Sequence, residues 1–203
     1  MEVLPNEVIE YIKDFVIFKP TTRGKLRNAI NLWNHKKKEA IKKYGHISNW
    51  NVSLIFDMTS LFYGMHLFNE DINNWDVSNV TNMDYMFYGT YEYNKPLDKW
   101  DVSNVVSMKS MFSWSASFNK NINNWNISKV GDTSEMFNMA MSFNQPLDKW
   151  DLSNVRNIFS MFRDAKHFNQ SLNKWNISNV QNMEQVFYNT ESFDSNNALW
   201  YIQ

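Results

Sequence analysis

The chain has 203 residues, 43% of them hydrophobic and 16% aromatic, with a formal net charge of -1. That is enough apolar material for a core, which excludes wholesale disorder. It has no cysteine and only five glycines, which excludes disulfides, zinc–thiolate sites and cysteine nucleophiles and argues against glycine-rich phosphate loops.

The charge is unevenly spread. Residues 1–48 carry ten Lys/Arg and five Asp/Glu, a net +5, and the remainder carries ten and sixteen, a net -6. A mildly acidic body argues against nucleic acid running along it. The opening residues, Met1 to Glu7, have neither the basic nor the apolar region of a signal peptide. The most apolar run, Phe15 to Phe18, is four residues long and far short of a membrane span. The expectation is an intracellular protein.

Residues 4–18 have the pattern of an amphipathic helix. Pro5 suits its first turn; Val8, Ile9, Ile12, Phe15 and Val16 would share one face, and Pro20 ends it. Such a helix would cap whatever follows. A second helix is predicted over 23–33, started by Thr21 or Thr22, with Leu26, Ala29, Ile30 and Trp33 inward. A third segment, 35–44, carries five lysines and stops at Gly45. The lysines read as a solvated helix face; the alternative is contact with phosphate or an acidic membrane surface. Residues 1–46 are thus a helical N-terminal segment and 47–203 a repeat body.

The repeat is set by Trp50, Trp75, Trp100, Trp125, Trp150, Trp175 and Trp200, a step of 25 residues without insertion. Counting from each Trp as zero, +2 is Val, Ile or Leu, +3 is always Ser, +5 is Val or Ile, and +12 is always Phe. Position +18 is aromatic in every copy and Asn follows it, with Asp194 in the last. Positions 0 and +2 alternate as a short strand does. Positions +5, +8, +11 and +12 have helical spacing, and the Ser at +3 stands where an N-cap would. The expected fold is an α/β repeat solenoid of six to seven stacked 25-residue coils, each a short strand plus a short helix. One copy cannot close a core, whereas stacked copies can.

Two further columns read as structural. The Asn at +19 is expected to form a ladder, bonding the backbone of a tight corner in the same or next copy. The residue after each Trp (Asn51, Asp76, Asp101, Asn126, Asp151, Asn176) is read as turn chemistry rather than a calcium column, because Asn interrupts the carboxylates and glycine is scarce. A 50-residue super-period also shows: Pro96-Leu97-Asp98-Lys99 returns as Pro146-Leu147-Asp148-Lys149, with Asn-rich copies between. It reads as duplication of a two-copy unit.

No catalytic, cofactor or metal site is expected. His35, His46, His66 and His167 are dispersed, and no HExxH, GxSxG or phosphate-loop motif occurs. The outward positions that vary between copies are the candidate protein-binding surface: Tyr85, Lys109, Trp114, Arg163, Lys166 and Gln185. Trp114 is the one tryptophan of the body off the repeat register, and Trp and Arg are common interface anchors. The expected role is a non-enzymatic scaffold for an unidentified protein partner.

Two resemblances bear on this. The stretch Leu4-Pro-x-Glu7-Val8-Ile9-x-x-Ile12-x-x-Phe15 resembles the opening of an F-box, which implies docking on a ubiquitin-ligase adaptor with the repeats choosing the substrate. The block W-[DN]-[VI]-S-N-V-x-N-M-x-x-M-F followed by F-N-x-x-[LI] resembles the repeat of the bacterial surface protein (BspA-like) family, often grouped with leucine-rich repeats. That family occurs in secreted or anchored bacterial proteins, in protists and in large DNA viruses. The resemblance implies a non-enzymatic interaction or adhesion module, including a structural or surface protein of a cell or virus particle, and brings no catalytic residues.

Overall fold

The computed structural model describes residues 17–201. Two helices precede the repeats: α1, Arg23–His35, and α2, Lys37–Tyr44. The Thr22 hydroxyl caps α1 by accepting from the Lys25 amide at 3.3 Å. Leu26, Ala29, Ile30 and Trp33 are buried, as their spacing predicts. Gly45 ends α2 in the left-handed region at φ 71°, and its amide bonds the Ile41 carbonyl at 2.9 Å. The five lysines of the 35–44 segment are exposed. The expected leading helix lies outside the described residues except for its last two, Ile17 and Phe18, which are not helical.

These elements close one end of the repeat core. The Phe18 ring lies 4.4 Å from Tyr44 and 5.1 Å from Trp50, and Trp33 lies 5.9 Å from Trp50, edge to face. Arg23 donates to the Thr59 carbonyl and sits 3.5 Å from the Asp57 carboxylate.

From Trp50 onward the expectation of an α/β solenoid is overturned. Among the described residues no copy contains a strand or an α-helix; between the short 3-10 turns Ile47–Asn49 and Ser195–Asn197 the chain is a succession of turns. Within each copy, amides bond the carbonyl three residues back: +5 to +2, +13 to +10, +15 to +12 and +18 to +15, with +11 to +8 added in the first five copies. A helix would need partners four residues back.

The physical reason lies at +10 and +14. Both are left-handed in every copy: Ser60, Tyr85, Ser110, Glu135, Ser160 and Gln185 at the first, and Gly64, Gly89, Trp114, Met139, Asp164 and Asn189 at the second. A left-handed residue reverses the coiling sense and stops a helix at each occurrence. For non-glycine residues this costs roughly 1–2 kcal/mol each. What offsets it is the direction the peptide then takes. The amides of +8, +10, +12 and +14 all donate to the next copy, to the carbonyls of +7, +9, +11 and +13. At +10 and +14 these bonds are 2.8–2.9 Å long.

The strand fails for a related reason. The +5 amide folds back on the +2 carbonyl at once, so extended pairing is limited to one residue per copy. That residue is +7, in a file of single parallel bridges running Asp57, Asn82, Ser107, Asp132, Asn157, Asn182.

The Ser at +3 is not an N-cap. Its own amide is satisfied by the side chain at +1, as in Ser78 to Asp76 (3.1 Å) and Ser153 to Asp151 (2.9 Å). The column after Trp is therefore turn chemistry. The Asn ladder is present too: the amides of Asn94, Asn119, Asn144, Asn169 and Asp194 each bond the Oδ1 of the Asn one copy earlier, at 2.9–3.1 Å.

The core occupies the positions the repeat predicts. Trp100 and Trp125 stack 6.4 Å apart at 5°, Phe87 and Phe112 5.4 Å apart at 2°, and within a copy Phe112 and Phe118 lie 4.0 Å apart. From Trp100 onward each indole of this column is also tied across copies; Trp125 Nε1 donates to the Leu97 carbonyl at 3.0 Å and Trp150 Nε1 to that of Ile122 at 3.1 Å.

The 50-residue super-period has a structural meaning. Asn73 donates to Asp98 at 2.9 Å, and Asn123 to Asp148 at 3.0 Å. Copies are thus clasped in pairs. Across the seam that follows the second pair, Lys174 Nζ reaches Asp148 at 2.8 Å. This ammonium, then the Asn123 amide, holds the Asp148 carboxyl below its usual range. Lys174→Met is expected to move the Asp148 titration up toward an ordinary carboxylate, measured by side-chain carboxyl NMR. The folded-state pKa is the depressed one. The contribution is therefore present above the unfolded carboxylate value and is lost as pH falls through the folded one. An unchanged midpoint would show that Lys174 does not set it.

Candidate protein-binding face

The variable outward positions +9, +10, +13, +14 and +16 lie along the file of left-handed turns, so the backbone that forms the cross-copy bonds also presents the variable side chains. Four of the six residues singled out in the sequence fall into two groups. The Lys109 ammonium lies 6.0 Å over the Tyr85 ring, and Tyr85, by charge and by hydrogen bonding, raises the Lys109 pKa. Arg163 Nη1 donates to Gln185 at 2.8 Å, and its guanidinium lies 4.9 Å over the Tyr188 ring. Lys166 pairs with Glu191 one copy further on. Trp114 stands apart, 39% exposed and left-handed at φ 61°. No aromatic partner stacks on it among the described residues.

The structure adds residues that sequence reasoning passed over. Tyr63 and Tyr88, both at +13, stack 4.7 Å apart at 4°. His66 and Tyr91, both at +16, stack 4.5 Å apart at 13°. Between these two ring columns in the chain lie Gly64 and Gly89 at +14. A Cβ on Gly89 would come within 3.7 Å of Gly64 Cα, ordinary contact, so it is the positive φ of 69° that favours glycine there. His66 Nδ1 lies 2.8 Å from the Gly89 carbonyl. Tyr63 is 53% exposed and Tyr91 40%. Burial, then the neighbouring Tyr63 phenol and the Glu135 carboxylate, raise the Tyr88 pKa. The signal that marks these residues is tyrosine recurring at +13, and a ring (His66, then Tyr91) recurring at +16, in the first two copies.

The face carries aromatic rings, phenol hydroxyls and cations at close quarters, the side-chain types that dominate binding hot spots. Among the described residues, no group of three or more His, Asp or Glu is placed to hold a metal ion. No described helix is long and apolar enough to cross a membrane. The F-box-like stretch lies outside the described residues.

The fold and face define a repeat protein whose copies are built from turns and whose variable residues share one side. The chain belongs to the family described as "Mycoplasma protein of unknown function, DUF285", whose model matches residues 26–140 and again 116–203. The two matches overlap over residues 116–140, one repeat length. No curated protein and no solved structure was found to be similar.

Proposed function

We propose that the chain is a non-enzymatic protein-binding module of the BspA-like type, with its partner held on the face that carries Tyr63, Tyr88, Tyr91, Lys109 and Trp114. The observation that carries this reading is Trp114. It holds a large, partly exposed ring at a left-handed position that the two preceding copies fill with Gly64 and Gly89. Glycine would remove a conformational cost of roughly 1–2 kcal/mol there, and strain retained under an exposed side chain points to use of that side chain.

The test is recovery of the partner from the native setting on immobilised protein, wild type against Trp114→Gly. The variant is expected to lose the partner yet stay within about 1 kcal/mol of wild-type stability, because release from the left-handed region offsets the lost partial burial. Equal recovery on both would remove Trp114 from the site.

A further inference from the structure

The seam after the first clasped pair of copies differs from the seam after the second. Asp98 and Asp148 are equivalent residues, one super-period apart. Each accepts from an Asn of its own pair, Asn73 at 2.9 Å and Asn123 at 3.0 Å. At the second seam Lys174 Nζ binds the other Asp148 oxygen at 2.8 Å. At the first seam the residue equivalent to Lys174 is Asn124. Its Oδ1 is taken by Lys149 Nζ at 2.9 Å. Asp98 therefore has no ammonium partner among the described residues. A cleft of about 370 Å³ opens at this seam, lined by Pro96, Asp98, Lys120, Asn124 and Trp125 among others. Lys120 has no carboxylate within 4.0 Å among the described residues, Asp98 included. The cleft thus carries one carboxylate and one ammonium that do not pair with each other.

We propose that this cleft binds a partner protein's lysine side chain that has an acidic residue close by. The ammonium takes the place beside Asp98 that Lys174 takes beside Asp148, and the partner's carboxylate meets Lys120. A lone cation would be repelled by Lys120, so the preference is for the pair of charges. The site is separate from the aromatic face, and its failure leaves the reading of that face untouched.

The probe is a capped Lys-Ala-Ala-Glu peptide, titrated into the full chain and followed by amide and indole NMR shifts. Saturable shifts at Asp98, Asn121, Asn124 and the Trp125 indole in the millimolar range are expected. Asp98→Asn should weaken binding about fivefold, the scale of one exposed ion pair. Asn124→Lys should weaken it at least as much, because the new side chain fills the site from within. Norleucine in place of the peptide lysine should abolish the shifts, and Lys120→Met should erase the preference for the peptide glutamate over glutamine. Shifts spread over the surface, or shifts at the cleft unchanged in both Asp98→Asn and Asn124→Lys, overturn the proposal. So does the absence of any shift in the wild-type chain. Both substitutions are on the surface, and each variant's fold is checked by the retained dispersion of its own spectrum.

Discussion

Phe112→Ala is expected to destabilise the chain by about 3–5 kcal/mol, read as a lowered urea midpoint by far-UV circular dichroism. The ring is fully buried and has four stacked neighbours: Phe118 in its own copy at 4.0 Å, Phe87 in the copy before at 5.4 Å, and Phe137 and Trp125 in the copy after at 5.9 and 6.3 Å. Truncation removes the side chain's transfer free energy and leaves a void in the middle of the column. The void cannot collapse, because the backbone on each side is pinned by the cross-copy bonds of Phe87 to Met111 and Phe112 to Met136, both 2.9 Å. Stability in such an array is a sum of nearest-neighbour terms. The loss should therefore fall on the two interfaces that Phe112 joins, and hydrogen exchange should rise most in the copies beginning at Trp75, Trp100 and Trp125. A loss under about 1 kcal/mol would show that the column is not what holds the copies together.

Glu135 separates the turn architecture from the helix that its spacing suggests. In a helix interior, replacing it by glycine costs about 1 kcal/mol. At φ 56° the same change should stabilise by about 1 kcal/mol, because the left-handed penalty is relieved. Proline should destabilise by about 3 kcal/mol or more. Its ring fixes φ near -65°, and it deletes the amide that donates to Phe159 at 2.8 Å. Thermal or urea melts of the two variants give the answer by sign alone. Destabilisation by glycine would mean that Glu135 is not left-handed in solution.

Those two residues also mark what sequence reading can and cannot reach. The core was legible because stacking forces one residue type into each column: Trp at zero, Phe at +12 and an aromatic at +18 are buried in the structure up to the last copy, where Phe193 and Trp200 are half-buried. The Asn ladder and the turn role of the residue after Trp were legible for the same reason. The backbone between them was not. A run of apolar residues at +5, +8, +11 and +12 is shared by a short helix and by turns that reset their hand at +10. Handedness would have been visible had glycine stood at those positions. Gly64 and Gly89 do so at +14, but Trp114 and Met139 follow, and +10 holds Ser, Tyr, Glu and Gln. Their left-handed state is imposed by bonds to a neighbouring copy, which no local window of sequence contains.

The candidate face was half legible for a similar reason. Variation between copies pointed outward to Tyr85, Lys109 and Trp114 one at a time. That Lys109 covers the Tyr85 ring, and that Tyr63 stacks on Tyr88, depends on contacts 24 and 25 residues away in the chain. Lys166 and Gln185, chosen as outward positions that vary between copies, bond Glu191 and Arg163, partners 25 and 22 residues away in the chain.

The fixed register of the cross-copy amides, forward from +8, +10, +12 and +14 and backward from +6 and +17, has a consequence for how such a chain changes over time. Every internal copy offers the same donors to its successor and the same acceptors to its predecessor, so a whole copy can be gained or lost without rebuilding its neighbours. A copy one residue too long or too short would put its own donors and acceptors out of register with the copies on either side. The Asn73–Asp98 and Asn123–Asp148 clasps tighten the rule further, since adding a single copy leaves one clasp half without its mate. Length in this architecture is therefore quantised, and its natural step is 50 residues rather than 25.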